Sequence, residues 1–264
     1  MKEGLKKVLD ELIANDLHPE RGEIKLAKDD FGFEYFERLT PNHLERWHDN
    51  GQLWMKSLVK DGGLDGICQE WNENGTLVVR ESYKEGKKDG LCEEWFENGQ
   101  LKSRGYYIES KLEGALEGWH PNGNLRLKSE YKNGKLEGVR EWWFENGQLD
   151  VRAIYKAGKL NGLCEEWYED GKPYSRVNYK DGESDGKFER WYPSGKLAER
   201  GNYKNGKEDG LFEYYGGYKT VIQKVFSDGV LKSEKIVDHF INEKSIGSEK
   251  KITLKSKKKG GVKL

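Results

Sequence analysis

The apolar positions of this chain follow one long period rather than a helical or a purely alternating one. Tryptophan stands every 24 residues, at Trp47, Trp71, Trp95, Trp119, Trp143, Trp167 and Trp191, and Tyr215 takes the next place. Two turn signals punctuate each interval. The first is Asn50-Gly51, Asn74-Gly75, Asn98-Gly99, Asn122-Gly123, Asn146-Gly147, Asp170-Gly171 and Ser194-Gly195. The second is Asp61-Gly62, Glu85-Gly86, Glu109-Ser110, Asn133-Gly134, Ala157-Gly158, Asp181-Gly182 and Asn205-Gly206. Asn-Gly and Asp-Gly suit type I′ turns, where both central residues need φ > 0. Aromatic and β-branched residues fill the segments between, so each unit predicts two strands of about ten residues. One structural unit is copied in tandem.

Taking Asn98-Gly99 as a two-residue loop places Glu93 opposite Arg104. Every unit obeys this register. Glu45, Gln69, Glu93, Glu117, Glu141, Glu165 and Glu189 face Lys56, Arg80, Arg104, Lys128, Arg152, Arg176 and Arg200. Opposite charges across a hairpin stabilise by about 0.2–1 kcal/mol each, and the ladder reads as register control. A further glycine recurs inside a strand, at Gly66, Gly90, Gly114, Gly138, Gly162, Gly186 and Gly210. Glycine there marks a bulge or a close backbone approach.

The signature E-x-W-x-x-N-G-x-L followed by Y-x-x-G-K resembles MORN repeats, in the variant form common in bacteria. The resemblance covers about residues 35–216 with seven copies in phase. It implies an all-β repeat fold, a single-layer elongated antiparallel meander of 24-residue hairpins. It also implies a scaffold or binding surface without family-wide catalytic residues. Some bacterial proteins of this type are antitoxins, immunity proteins that neutralise a toxin. Two departures, Pro173 in place of leucine and Glu109-Ser110 without the turn glycine, predict local distortion.

Composition agrees with a one-layer array. Charged residues make up 35% and hydrophobic residues 34%, with a mean hydropathy of −0.97, and repeats bury surface only against their neighbours. A net charge of −1 predicts no general affinity for nucleic acid or membrane. No apolar span of membrane length occurs, and Met-Lys-Glu-Gly does not begin a signal peptide. A cytoplasmic protein is expected. Cys68, Cys92 and Cys164 share a slot held elsewhere by Leu44, Leu116, Phe188 and Phe212, so they read as free thiols in the core.

The ends differ from the array, giving a division into 1–34, 35–216 and 217–264. Leu5, Val8, Leu9, Leu12, Ile13 and Leu17 form one helical stripe over residues 2–17, ended by Pro19. This helix is expected to cap the first strand's open edge, with a docking role as the alternative. Tyr35 keeps the phase of a half-repeat. Beyond Tyr215, residues Val221 to Leu231 suggest one more irregular hairpin around Asp228-Gly229, and Ile236 to Phe240 a cover for the far edge. The Lys250–Lys263 tail is a solvated terminus or a contact for anionic lipid.

Chemistry is sparse. His48 and His120 share a slot about six strand spacings, roughly 28 Å, apart and hold no common metal. Neither they nor His18, His43 and His239 have metal-ligand spacing around them. Gly201–Lys207 imitates a phosphate loop but is followed by Glu208 and lies on a hairpin. No cofactor, metal or catalytic residue is expected, and no enzyme. The segments outside the array are too short for a catalytic domain.

Side chains alternate between faces. One face is expected to carry the Trp column and the charge ladder. The other is expected to carry Leu53, Leu77, Leu101, Leu125, Leu149 and Leu197, the Tyr83–Tyr203 column, and the residue after each Trp. Partner contacts are expected at that last slot, His48, Phe96, His120, Phe144, Tyr168 and Tyr192, with Trp95, Trp119 and Trp143, because aromatic anchors dominate interfaces. About 16 strands would run about 75 Å, a length suited to gripping a protein. The leading expectation is a protein-binding repeat protein that occludes a partner toxin. The alternative is a scaffold or membrane-surface adaptor. Either a monomer or an edge-paired dimer is compatible with an open sheet.

Overall fold

The computed structural model describes residues 3–15, 22–28, 33–216 and 220–238. Leu17, His18, Pro19, His239, Phe240 and the lysine tail, on which several expectations rested, lie outside these residues. One helix, Glu3–Ala14, precedes twenty strands that form a single antiparallel sheet. The chain meanders from Lys25–Lys28 at one edge to Val230–Asp238 at the other, each strand pairing with the next. Lys207–Glu208 and Gly210–Tyr215 together make one interrupted strand against Leu197–Lys204. The sheet is longer than the expected 16 strands. Lys25–Lys28 and Glu34–Leu39 extend it ahead of the first Trp, and Thr220–Ser227 with Val230–Asp238 extend it behind.

The second turns are type I′, as the sequence predicts. Asp61 and Gly62 have φ of 51° and 81°, and Asn205 and Gly206 have 50° and 76°. The departure at Glu109-Ser110 brings no distortion, with φ of 47° and 63°. Ser110 accepts that strained conformation while its Oγ accepts the Lys88 N–H at 3.1 Å. Pro173 is equally undistorted. It pairs with Trp167 as leucine pairs with Trp elsewhere, because the first residue of a strand tolerates a missing donor.

The first turns differ from expectation. Asn98 has no positive φ, whereas Gly99 has 82°. The Phe96 N–H bonds the Gln100 carbonyl and the Gly99 N–H bonds the Phe96 carbonyl, so the loop holds three residues with Gly99 left-handed. The Asn98 Oδ1 accepts the Gln100 N–H at 3.0 Å. The longer loop shifts the pairing by one, and a one-residue bulge at Lys102 shifts it back. Glu93 therefore still faces Arg104.

That bulge corrects the assignment of faces. Leu101 pairs directly with Trp95, and Leu53, Leu77, Leu125, Leu149 and Leu197 pair with their own Trps. Directly opposed residues project to one side of a sheet. The leucine column thus shares the Trp face, because the bulge reverses the alternation between Leu101 and Arg104. The Tyr column lies on the opposite face. There it packs on the cysteine slot: Tyr83 lies against the Leu44, Met55, Val59 and Cys68 cluster. At the far end Phe212 is wholly buried, edge-on to Tyr203 and Phe226 at 5.4 and 5.5 Å.

The recurring strand glycines sit at a wider bulge. Tyr83 pairs with Lys88 and Glu81 with Cys92, so Ser82 opposes Asp89, Gly90 and Leu91. Gly90 has φ 117°, and a Cβ there would lie 2.8 Å from that of Ser82. Both expected reasons for glycine, bulge and close approach, hold at this position. The helix Glu3–Ala14 brings Val8 against the turn at Gly51, where an added Cβ would sit 3.1 Å from Val8 Cγ1.

Candidate functional site

Two rims and two faces are available to a partner. Each is built from one residue per repeat, so each presents a row rather than a convergent centre. Among the described residues no three His, Cys, Asp or Glu side chains gather as a metal site. No described helix is long and apolar enough to cross a membrane.

The first-turn rim carries the slot after each Trp. His48 bonds the Trp71 carbonyl through Nε2 at 2.9 Å, and His120 bonds that of Trp143 at 2.8 Å. The Tyr168 hydroxyl donates to the Trp191 carbonyl at 2.8 Å, and that of Tyr192 to Tyr215 at 3.0 Å. These four rings staple each repeat to the next. Phe96 and Phe144 occupy the same slot without a polar atom to donate, and both remain half-buried. The rim is reinforced by turn asparagines: Asn122 Nδ2 donates to the Glu145 carbonyl at 2.8 Å and Asn146 Nδ2 to Glu169 at 2.9 Å. His48 also lies against Trp54, which packs on the core cluster, so the slot belongs to the Tyr-face side of the rim.

The second-turn rim is tied differently. The acidic residue before most strand glycines accepts the first N–H of the next turn, while Asn161 before Gly162 donates its Nδ2 to Asp181 Oδ1 at 3.3 Å. Asp89 accepts from Glu109 at 3.2 Å, Glu113 from Asn133 at 2.6 Å and Glu137 from Ala157 at 2.8 Å. Each of these bonds spans 20 residues and recurs with the 24-residue period. Neither rim bond type was visible in the residue pattern, because each joins adjacent units rather than residues of one hairpin.

On the Trp face the charge ladder is continuous. Arg38, Glu45, Lys56, Gln69, Arg80, Glu93, Arg104, Glu117 and Lys128 follow one another strand by strand, and alternation continues through Glu213. The expected pairs within hairpins form at Glu45–Lys56 (3.9 Å), Glu141–Arg152 (3.3 Å) and Glu165–Arg176 (2.9 Å). Others cross the repeat boundary instead: Arg80–Glu93 at 3.7 Å, Arg104–Glu117 at 2.6 Å, and Arg200–Glu213. Arg80 stands 5.6 Å over Trp95 and Arg104 5.6 Å over Trp119, so these two Trp candidates lie beneath guanidinium groups. Trp143 is half-buried on the same face, two residues beyond Glu141.

Protonation follows burial and partners. Burial pushes Glu213 up, but hydrogen bonds from Gln223, Arg200 and Tyr215 outweigh it and hold the carboxyl below its ordinary range. On the Tyr face, burial and then the charge of Glu81 raise Glu70. Burial pushes the Cys68 and Cys164 thiols up to about 11, so both are inert nucleophiles at neutral pH. All three cysteines are free.

One surface was missed by the sequence reading. Ile67, Leu91, Val139 and Leu211 directly follow the strand glycine, and with Leu58, Tyr106, Ile154 and Val225 they line a single row beside the ladder on the Trp face. Ile67 is 55% exposed and Leu91 42%. The available signal was an apolar residue after most of the recurring glycines.

The profile of the MORN repeat variant family matches six segments of the chain, residues 64–85, 88–109, 112–133, 136–157, 160–181 and 184–205. No curated protein matches it significantly.

Proposed function

Because the chain belongs to the MORN repeat variant family, we propose that it is a non-enzymatic protein that grips a partner protein along its first-turn rim. Repeats of this family serve generally to bind proteins or membranes. The observation that carries the reading is the rim itself. An aromatic or histidine ring stands at fixed pitch in every repeat but one, where Asn72 takes the slot, on a backbone stapled by Asn and ring hydrogen bonds. Such a row is pre-organised, and association costs less when the contacting side chains are already ordered.

His48, His120, Tyr168 and Tyr192 hold the rim's geometry, half-buried except for the exposed ring of Tyr192. Phe96 and Phe144 make no cross-repeat bond and supply the apolar anchors, with Trp95, Trp119 and Trp143 reached over the same rim. Anchors of this kind carry most of the energy of a protein interface. The partner is a toxin whose active site is occluded along the array; resemblance to immunity proteins is the support for that step.

The test is affinity capture with the full chain from its native cell, read by mass spectrometry. One stoichiometric protein, toxic when expressed alone and harmless with this chain, is the expected result. Enrichment of anionic lipid with no protein would overturn it in favour of a membrane-surface adaptor.

A further inference from the structure

We infer that the Trp face mates with the same face of a second copy, through the charge ladder and the exposed apolar row, about a two-fold axis parallel to the strands. Three observations lead there. The apolar row gathers eight of the chain's exposed large hydrophobic residues on one line, Leu58 to Val225. They stand as pairs on neighbouring strands, separated by Ser82, Ala115, Glu130, Leu163, Asn178, Lys187 and Asn202. Two of the pairs, Leu91–Tyr106 and Val139–Ile154, lie symmetrically about the middle of the array. Exposed apolar groups gathered in this way mark an interface. The neighbouring ladder alternates in sign from strand to strand. Its two signs also stand at different depths. Arg80, Arg104, Arg152, Arg176 and Arg200 side chains are 45–53% exposed, while their glutamate partners are 11–23% exposed. The face therefore carries a line of guanidinium ridges separated by carboxylate hollows, repeating every two strands, about 9.6 Å.

Such a line is complementary to its own reverse. A two-fold axis between the strands Lys111–Trp119 and Leu125–Lys132 falls midway between Glu117 and Lys128, which are direct partners. Rotation about it sets the positive positions of one copy over negative positions of the other, except that Arg176 meets Gln69. Arg104 meets Glu141 of the second copy, and Glu93 meets Arg152. The same rotation lays two apolar pairs together near the axis, Tyr106 on Val139 and Leu91 on Ile154, with Ala115 meeting Glu130 at the axis itself. Farther out the row is polar on one side, Ile67 meeting Asn178 and Leu58 meeting Lys187. A closed two-fold contact requires this kind of self-matching, residue i to j and j to i. The axis parallel to the strands keeps row on row, whereas an axis along the ladder would set each of its residues on its own copy, like charge on like, with the apolar row over the Trp row. Two twisted sheets cross at about 30°, so the matching is closest within a few strands of the axis.

The competing arrangement is an edge contact through Val230–Asp238. Antiparallel self-pairing centred on Ser233 would set Lys232 against Glu234, and the lysine substitutions below separate it from the face contact. The paired face covers Trp95, Trp119 and Trp143 but leaves free the ring slot on the Tyr-face side of the first-turn rim. A second copy therefore competes with the proposed partner for the Trp anchors and not for the His, Phe and Tyr row.

The full chain is tested by sedimentation velocity and light scattering. A particle of twice the 30.6 kDa chain mass is expected. The pair Leu91→Lys and Ile154→Lys, both at exposed positions, is expected to halve that mass with an unchanged circular-dichroism spectrum. A second experiment removes dependence on a single variant. A chain carrying Arg104→Glu and Arg152→Glu, and another carrying Glu93→Arg and Glu141→Arg, are each expected to be monomeric alone and dimeric when mixed. A monomeric full chain would overturn the inference. A dimer that survives the two lysine substitutions, pointing to an edge contact, would overturn it equally.

Discussion

The guanidinium of Arg104 bonds Glu117, in the next hairpin, at 2.6 Å, although Glu93 faces it within its own hairpin. Its position 5.6 Å over Trp119 explains the choice: Glu117 and Trp119 lie on one strand, two residues apart, and both attract the cation. The ladder therefore joins repeats as well as closing hairpins.

A double-mutant cycle on Arg104→Ala and Glu117→Ala, read by urea denaturation, should give a coupling of about 0.5 kcal/mol, modest because the arginine is half-exposed. The matching cycle on Arg104 and Glu93 should give a smaller value. Equal couplings would mean that the arginine is shared evenly between its two neighbours.

Ser110 occupies a left-handed position filled by glycine in the other second turns. Ser110→Gly should stabilise the chain, by about 1 kcal/mol at most, since relief of strain is offset by loss of the Oγ acceptor and by a freer unfolded chain. Ser110→Val should destabilise it. Midpoints of thermal unfolding compare the three.

Gly201 lies beneath the Phe212 ring, where an added Cβ would come within 2.4 Å. Its φ is not positive, so the constraint is steric. Gly201→Ala should cost about 1–3 kcal/mol through overpacking. Phe212→Leu in the same chain should recover part of that loss, and strict additivity of the two substitutions would show that the ring and the glycine are not coupled.

Glu70 and Glu213 should respond to pH in opposite senses. Glu70 is raised above its ordinary 4.5, so its contribution is favourable below that value and is lost as pH rises through its folded pKa. Glu70→Gln should therefore stabilise at pH 7, with the gain vanishing on acidification. Glu213 is held below 4.5, so it stabilises above that value and its contribution fades as pH falls. Glu213→Gln should destabilise at pH 7, with the difference shrinking in acid. Parallel denaturation series across that range decide both.

The hairpin array was legible because Trp, turn and glycine positions repeat in phase, and a 24-residue unit admits few other architectures. The Glu93–Arg104 register was predicted through a wrong turn. A three-residue loop and the Lys102 bulge offset one another, and a period alone does not reveal two irregularities that cancel. The same bulge concealed that Leu101 shares a face with Trp95. The staples from His120 to Trp143 and from Asp89 to Glu109 lie between units, where composition within one repeat carries no signal. Ser110 and Pro173 drew expectations of distortion, yet neighbouring repeats impose their geometry on both.

The measurement that tests the binding role most directly is the affinity of the captured partner for the full chain and for a variant carrying Phe96→Ser and Phe144→Ser. A loss of at least about 100-fold, roughly 2.7 kcal/mol, is predicted, with no loss for Leu91→Lys and Ile154→Lys. An affinity unchanged by the rim substitutions would contradict the rim as the gripping surface.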